Sequence, residues 1–216
     1  MSRYAVMGSG QVGQVLADGL LALGHDVMRA SREPSKLAEW QRQAGPKART
    51  GTFAEAAQWG DEVVLAVKGS AAQKVIELAG PDHLAGKVVM DATNPIADLP
   101  PENGVLRFFT SLDDSLMERL QRQAPAAKFV KAFSCVGNAF MVQPKLPGGP
   151  PSMFICGNDD AAKNSVRNLL TALGWETIDM GAVEAARAIE PLCMLWCIPG
   201  FRQNRWMHAF KLLQLP

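Results

Sequence analysis

The sequence predicts an α/β protein: a doubly wound parallel sheet followed by a short C-terminal α/β extension. Four short apolar runs occupy residues 4–8, 26–30, 62–67 and 87–92. Between them lie segments with helical periodicity, which start near Gln11, Pro34, Phe53 and Ser70. This alternation is typical of parallel strands joined by right-handed helical crossovers. A glycine-rich turn directly after the first run supports the same fold, and residues 49–52 could add a short strand.

Later elements are predicted from the same periodicities. Leucines at 112, 116 and 120 indicate a helix over residues 111–123. Strands are expected at residues 128–133, 152–156 and 175–179, with a loop at 143–151 and a helix at 159–173. A last helical region, from about residue 183, is expected to break near Pro199-Gly200 and to resume toward Phe210.

The glycine pattern Gly8-Ser-Gly10-Gln-Val-Gly13 follows the first apolar run directly. The spacing G-x-G-x-x-G between a strand and an amphipathic helix is typical of dinucleotide-binding turns, although a merely structural turn is the alternative. Gly8 permits a tight turn, Gly10 leaves room for a pyrophosphate and Gly13 lets the helix lie close to the sheet. The free N–H groups at the helix start would hold the anion. We therefore expect a Rossmann-type site that includes Gly8, Ser9, Gly10, Gln11, Val12 and Gly13.

The end of the second strand distinguishes NAD from NADP. NAD sites place Asp or Glu there, about 20 residues beyond the glycines, to bind the ribose 2′-hydroxyl. This chain has Ala30 and Ser31 at that position, and Asp26 opens the strand instead of closing it. Arg32 offers a planar fork suited to a phosphate, and Lys36 offers a mobile positive charge. Ser31, Arg32 and Lys36 therefore predict a 2′-phosphate site and NADP as the cofactor, with solvated residues at a helix start as the alternative.

Two further strand ends are expected in the same groove, because ligands of doubly wound sheets bind beyond the carboxyl ends of the strands. Ala66 and Val67 are small enough to let the nicotinamide ribose approach. Asn94 can hydrogen-bond a carboxamide or a ribose, although Asn-Pro is also a common turn sequence. Lys68 lies beside this groove or is an ordinary solvated loop lysine.

Composition bounds the partners of the protein. The 216 residues carry a formal net charge of +1 with mixed signs, so neither nucleic acid nor a membrane surface is expected as a partner. No apolar run has the roughly 18–20 residues of a membrane span, and no secretory leader is evident, which predicts a cytoplasmic protein. The few cysteines lie in apolar segments and indicate reduced, buried thiols without a metal site. They are Cys135, Cys156, Cys193 and Cys197.

Four segments of the chain carry a resemblance to a known family. They are residues 6–13, 30–32, 130–138 and 189–196. Together they resemble the NADPH-dependent coenzyme F420 reductases and their bacterial relatives of unassigned substrate. The resemblance covers nearly the whole chain. Most of its specificity comes from the strand-end motif Lys131-Ala-Phe133 and from the tail.

The resemblance implies a Rossmann domain at residues 1–125, with an α/β and helical portion at residues 126–216 packed on it as part of one domain or as a second. It implies hydride transfer between NADP(H) and an acceptor such as a deazaflavin or a flavin. Ser9, Gln11 and Val12 would contact the pyrophosphate. Ala132 and the residues up to Gly137 would surround the nicotinamide and the acceptor. The chain departs from its relatives at Ser134 and Cys135, where they usually have Asn and Thr.

No catalytic residue is assigned from the sequence. Hydride transfer depends on stacking two rings more than on a strong acid or base, because the cofactor carries the chemistry. With a flavin-like acceptor, hydrogen bonds would come from Ser134, Asn138 and backbone N–H groups. A small carbonyl substrate would require a proton donor, and the candidates are Lys68, Lys131 and His208.

Two further hypotheses concern assembly and turnover. The alternative to an enzyme is a non-catalytic, NADP-binding redox sensor. The loop at 143–151 and the apolar tail, with Phe201, Trp206 and Phe210, predict either a homodimer interface or a cover over the site.

Overall fold

The computed structural model describes residues 1–213 and 215, and its centre is a parallel sheet of six strands. These are β1 (Arg3–Met7), β2 (Asp26–Ala30), β3 (Ala48–Gly51), β4 (Glu62–Leu65), β5 (Val88–Asp91) and β6 (Lys128–Lys131). Their order is β3-β2-β1-β4-β5-β6, and every neighbouring pair is parallel. The order reverses between β1 and β4, as in dinucleotide-binding sheets. The predicted doubly wound fold is confirmed.

Helices cover both faces of this sheet. They are α1 (Gln11–Ala22), α2 (Ala38–Ala44), α3 (Phe53–Trp59), α4 (Gly69–Ala79), α5 (Leu116–Gln123), α6 (Asp160–Ala172), α7 (Ala186–Ile189) and α8 (Leu192–Gln203). Leu16 of α1 and Val166 of α6 pack in one apolar core, and Ile76 of α4 packs in another. Val6 belongs to the first core and its neighbour Met7 to the second. Because successive strand residues point to opposite faces, the two cores lie on opposite sides of the sheet.

The C-terminal extension is a small α/β unit. Strands β7 (Ser152–Ile155) and β8 (Glu176–Asp179) pair in parallel, with α6 between them in the chain. An antiparallel bridge between Lys131 and Cys156 joins this unit to the edge of the main sheet. The division of the chain at residue 125 stays a prediction, and β6, which lies beyond it, is the sixth strand of the main sheet.

Helix α5 begins later than the leucine spacing predicts. The Ser115 hydroxyl accepts the backbone N–H of Glu118 at 3.1 Å, and the Glu118 carboxylate accepts the backbone N–H of Ser115 at 2.8 Å. This capping box satisfies the first free N–H groups of the helix and starts it at Leu116. The predicted start at residue 111 is wrong, because Ser111 and Asp114 form a bridged turn, which leaves Leu112 81% exposed.

The tail also differs from its prediction. Helix α8 continues through Pro199 and Gly200 and ends at Gln203, and the next residue, Asn204, has the left-handed conformation. The predicted break and the resumed helix are wrong, because the Trp206 ring folds back onto Gly200, where a Cβ would lie 2.2 Å from it. The described residues after α8 form no regular secondary structure, and the carbonyl oxygen of Phe210 accepts the N–H of Ser152 in β7. Across the described part of the chain, no helix combines the length and the apolar character needed to cross a membrane.

Candidate functional site

The glycine turn between β1 and α1 brings backbone segments into close approach. Gly8 has φ +155°, and a Cβ added there would lie 2.2 Å from the carbonyl oxygen of Ala66. A Cβ on Gly13 would lie 2.6 Å from the carbonyl oxygen of Gly8. For Gly10, by contrast, no atom lies within 4 Å of the Cβ position. Packing within the protein therefore requires glycine at positions 8 and 13, whereas Gly10 faces open space.

A cavity of about 320 Å³ opens beside this turn, beyond the carboxyl ends of β1, β2 and β4. Seven predicted cofactor residues line it: Ser9, Gly10, Ser31, Arg32, Ala66, Val67 and Lys68. The rest of the lining escaped sequence reasoning and consists of Phe53, Ala71, Lys74, Val75 and Leu78. For Ala71, Val75 and Leu78 the signal was the apolar spacing along α4, which is equally typical of a buried helix face. The cavity therefore combines a polar turn with a largely apolar wall.

The residues that follow β2 face this cavity differently. Ser31 is buried, and its hydroxyl oxygen accepts the backbone N–H of Glu33 at 3.0 Å, which leaves the O–H free to be donated. Arg32 is exposed, lines the cavity and forms no ion pair with any described residue. Lys36 is exposed and pairs with Glu33, with Nζ 2.9 Å from Oε1, and is absent from the cavity lining. Of these two cations only Arg32 lines the cavity, and a contact from Lys36 stays a prediction.

Asn94, which follows β5, has unused hydrogen-bonding capacity. Its Nδ2 donates to the carbonyl oxygen of Ser134 at 3.2 Å, whereas its Oδ1 is buried without a partner among the described residues. The buried hydroxyl of Ser134 likewise has no partner there. Buried polar atoms in native proteins are normally hydrogen-bonded. These two atoms therefore have unused hydrogen-bonding capacity where the segments after β5 and β6 meet, and neither residue is in the lining of the cavity beside the glycine turn.

The segment after β6 has one bulky residue with a positive φ and packs tightly against α8. Phe133 has φ +59°, which is unusual for a bulky residue. The Trp196 ring of α8 packs so closely on Gly137 that a Cβ there would lie 2.7 Å from it. Ala132 is fully buried and donates its N–H to the carbonyl oxygen of Asp91 at 3.0 Å. The predicted cofactor contact of Ala132 stays a prediction, since the residue is absent from the cavity lining.

A buried ionic network lies at these strand ends. Nζ of Lys131 lies 2.6 Å from Oδ2 of Asp91 and 2.9 Å from Oε1 of Glu190, and it donates to the carbonyl oxygen of Thr93 at 2.9 Å. All four residues are buried. Burial alone would lower the pKa of Lys131, but the two carboxylates outweigh it and raise that pKa above the ordinary lysine value. Lys131 is therefore a charged structural centre at neutral pH.

This network connects the strand ends to the helices. Oδ1 of Asp91 accepts the N–H and the hydroxyl of Thr93, at 2.9 and 2.7 Å. The Glu190 carboxylate accepts the N–H groups of Leu116 and Met117 at 3.0 Å each, where the dipole of α5 favours a negative charge. Neither Asp91 nor Glu190 was predicted as a site residue from the sequence. The signal for Asp91 was a charged residue at the end of the apolar strand β5.

The three predicted proton donors have different surroundings. Lys131 is fully buried and is held by two carboxylates and a carbonyl oxygen. His208 lies in the irregular tail after α8, not in a helix as predicted, and its Nε2 is 3.0 Å from the carbonyl oxygen of Trp196, whose ring it stacks on. Lys68 lines the cavity and pairs with Asp98. Of the three, Lys68 is the one that lines the cavity beside the glycine turn.

The cysteines are buried, as predicted. All four are free thiols in the structure. Burial raises the pKa of Cys135 and of Cys156 to about 12 in each case. Such thiols stay protonated at neutral pH and are poor nucleophiles. The absence of a metal site stays a prediction.

Comparison with known proteins connects this geometry to a family. The sequence profile described as "NADP oxidoreductase coenzyme F420-dependent" matches residues 3–95. Among solved structures, a candidate F420-dependent NADP-reductase from Arthrobacter sp. FB24 is 32% identical, with a TM-score of 0.92. That match covers 99% of this chain and all of the other. A hypothetical protein from Sinorhizobium meliloti, SMa0349, is 27% identical with a TM-score of 0.72, covering 86% of this chain and 87% of its own.

A curated relative with a stated activity is also similar. The metalloreductase STEAP3 of Rattus norvegicus is 32% identical over 204 residues, which is 91% of this chain. The chain spans about 38% of the length of that relative.

Proposed function

Because the chain belongs to the family of coenzyme F420-dependent NADP oxidoreductases, we propose that it binds NADP(H) and transfers a hydride between the nicotinamide and a deazaflavin or flavin acceptor. One observation carries the cofactor assignment. Residues from three strand ends meet in one cavity beside the glycine turn, with Arg32 on its rim and no carboxylate directly at the end of β2. That arrangement suits a ribose 2′-phosphate and lacks the carboxylate that accepts a ribose 2′-hydroxyl in NAD sites.

The lining fits the parts of a dinucleotide. The open space at Gly10 leaves room for a pyrophosphate at the start of α1, whose free N–H groups favour an anion. Phe53, Val75 and Leu78 supply an apolar wall suited to an adenine ring. The free Oδ1 of Asn94 can accept the amide N–H of a carboxamide. When bound, the cofactor supplies the hydride, and these residues bind it and set its orientation.

A planar redox acceptor agrees better with the site than a carbonyl substrate does. Reduction of a carbonyl requires a proton donor beside the reacting atoms. Lys131 is hydrogen-bonded to the carbonyl oxygen of Thr93, and His208 to that of Trp196. Lys68 is exposed and forms an ion pair with Asp98. The segment that contains Ser134 instead offers a hydroxyl and apolar neighbours, which suit a ring that accepts a hydride without a proton donor beside it.

The proposal is tested by binding and turnover. We expect calorimetry to show NADPH binding more tightly than NADH, and nicotinamide absorbance to change on addition of F420 or FMN. Small carbonyls and ferric chelates serve as alternative acceptors, the latter because the longer rat relative is a metalloreductase. Tight binding without turnover on any acceptor would favour the redox sensor, and absence of binding would contradict the proposal.

Replacing Arg32 by alanine should reduce the preference for NADPH over NADH by about 10- to 100-fold, because a charge-assisted hydrogen bond contributes about 1.5–3 kcal/mol. The measurement is the ratio of the two dissociation constants. Lys36→Ala is the matched variant, and its effect should be smaller because Lys36 pairs with Glu33 outside the cavity. An unchanged ratio in Arg32→Ala would rule out this residue as the 2′-phosphate ligand.

A homodimer remains part of the proposal. Leu195 and Phe201 of α8 are about half exposed, which suits a surface shared with a second copy. Sedimentation of the full chain measures the assembly, and a monomer at all concentrations would contradict it.

A further inference from the structure

Arg29 is a buried arginine directly behind the glycine turn. It lies in β2, is 1% exposed and is among the largest fully buried side chains of the protein. Its Nη2 donates to the carbonyl oxygens of Ser9 at 3.1 Å and of Gly10 at 3.3 Å. Its guanidinium also lies over the Trp40 ring, 4.8 Å from the centroid. An apolar residue would be expected at this position of a central strand, so the arginine requires an explanation.

The charge of Arg29 has no ion-pair partner among the described residues. The acidic group that acts on it is Asp18, whose carboxylate is not within ion-pair distance and instead accepts Nε1–H of Trp40 at 2.7 Å. Nε of Arg29 is buried without a hydrogen-bond partner. Burial lowers the pKa of Arg29, with Asp18 opposing this effect, yet an arginine stays charged in proteins. An unpaired buried cation is costly unless an anion nearby compensates it.

The two carbonyl contacts have a direct geometric consequence. In a trans peptide unit the C=O and the following N–H point in opposite directions. A guanidinium that holds the carbonyl of Ser9 therefore aims the N–H of Gly10 the other way. The carbonyl of Gly10 also accepts the N–H of Gln14 at 3.0 Å, so there the guanidinium reinforces the orientation that α1 gives to the N–H of Gln11. Those N–H groups lie where the turn enters α1 and where the cavity opens.

We propose that Arg29 is a positioning residue of the dinucleotide site: it orients the N–H groups of Gly10 and Gln11 toward the pyrophosphate and supplies a fixed positive charge behind them. This inference rests on the proposed function. The bound pyrophosphate would be the anion that compensates the guanidinium, and burial of the guanidinium would strengthen the attraction because the effective dielectric constant is lower there than in water. Arg29 thus serves the part common to NADPH and NADH, whereas Arg32 serves the 2′-phosphate.

The test compares Arg29→Met, which keeps the length and removes the charge, with Arg29→Lys, which keeps the charge and loses the fork. Arg49→Met is the matched control, because Arg49 lies in the neighbouring strand β3 and stacks on a tryptophan away from the turn. Calorimetry measures NADPH and NADH affinity at low and high salt, and circular dichroism reports whether each variant is folded.

We expect Arg29→Met to weaken both dinucleotides by the same factor of about 10 or more and to flatten the salt dependence, since a charged hydrogen-bonding group is lost. Arg29→Lys should recover part of the affinity, and Arg49→Met should bind as the wild type does. Equal affinities of wild type and both Arg29 variants would overturn the inference while leaving the proposed function intact. A loss confined to NADPH would also overturn it.

An unfolded Arg29→Met variant, or a wild type that binds no dinucleotide, requires a second measurement. If Arg29→Met does not fold, Arg29→Lys provides the test. Wild-type dinucleotide affinity and wild-type salt dependence in Arg29→Lys would mean that a positive charge is sufficient, which would overturn the orienting role of the guanidinium. If the wild type binds neither dinucleotide, the proposed function fails, and inorganic pyrophosphate then tests Arg29 directly. Pyrophosphate binding by the wild type that persists in the folded Arg29 variants contradicts the inference.

Discussion

Replacing Lys131 by methionine is expected to lower the free energy of unfolding by about 3–5 kcal/mol, because removal of one partner leaves buried charges uncompensated. The variant leaves the carboxylates of Asp91 and Glu190 buried with no cation beside them. It also removes the hydrogen bond to the carbonyl oxygen of Thr93. Chemical denaturation followed by circular dichroism measures the loss, and cofactor affinity should fall as well because Thr93 precedes Asn94.

Lys128→Met is the matched control for this prediction. Lys128 opens the same strand and pairs with Asp159, but both side chains are more than 30% exposed. Exposed ion pairs contribute about 0–1 kcal/mol, so this variant should remain close to the wild type. Equal losses from the two variants would mean that the buried network does not stabilise the fold more than a surface pair does.

Gly8→Ala should destabilise the protein by about 2–6 kcal/mol, since overpacking and a disfavoured backbone conformation cost about 1–3 kcal/mol each. The new Cβ would lie 2.2 Å from the carbonyl oxygen of Ala66. Both groups belong to rigid backbone between β1 and β4, so neither can rotate away. Thermal or denaturant unfolding measures the effect.

Gly10→Ala separates folding from binding. Its Cβ meets no protein atom within 4 Å, and the backbone at Gly10, with φ −76°, suits any residue. The loss of stability should be less than about 1 kcal/mol, the scale of a helix-capping effect. Dinucleotide affinity should nevertheless fall, because the methyl group occupies space proposed for the pyrophosphate. A stable Gly10→Ala variant with wild-type affinity would contradict that placement.

Much of the fold could be predicted from local patterns. The strand Asp26–Ala30 is found at the residues predicted for it, and helix α6 ends one residue before its predicted end at 173. Errors arose where two local signals competed. The leucine spacing favoured a helix from residue 111, but the cap at Ser115 decided the start. Pro199 and Gly200 favoured a break, but packing by Trp206 kept α8 continuous.

The candidate site could be predicted only in part. Residues on a recognisable turn or strand end, such as Ser9, Arg32 and Val67, line the cavity as expected. Lys36, Asn94 and Ala132 are absent from its lining. Lys36 pairs with the nearby Glu33, whereas Ala132 is fully buried and hydrogen-bonded to Asp91, which is distant in the chain. A contact between distant residues, such as that of Ala132, is not recorded by a local pattern.

The sequence by itself determined the succession of strands and helices along the chain, the glycine turn and the absence of an acid directly after the second strand. These features depend on residues that are adjacent along the chain. Only the tertiary structure brought Asp91, Lys131 and Glu190 into one network and placed Arg29 behind the carbonyl oxygens of Ser9 and Gly10. Buried charges are stable only beside partners that the folded chain delivers from distant positions. Their roles were therefore decided when the strands and helices packed together.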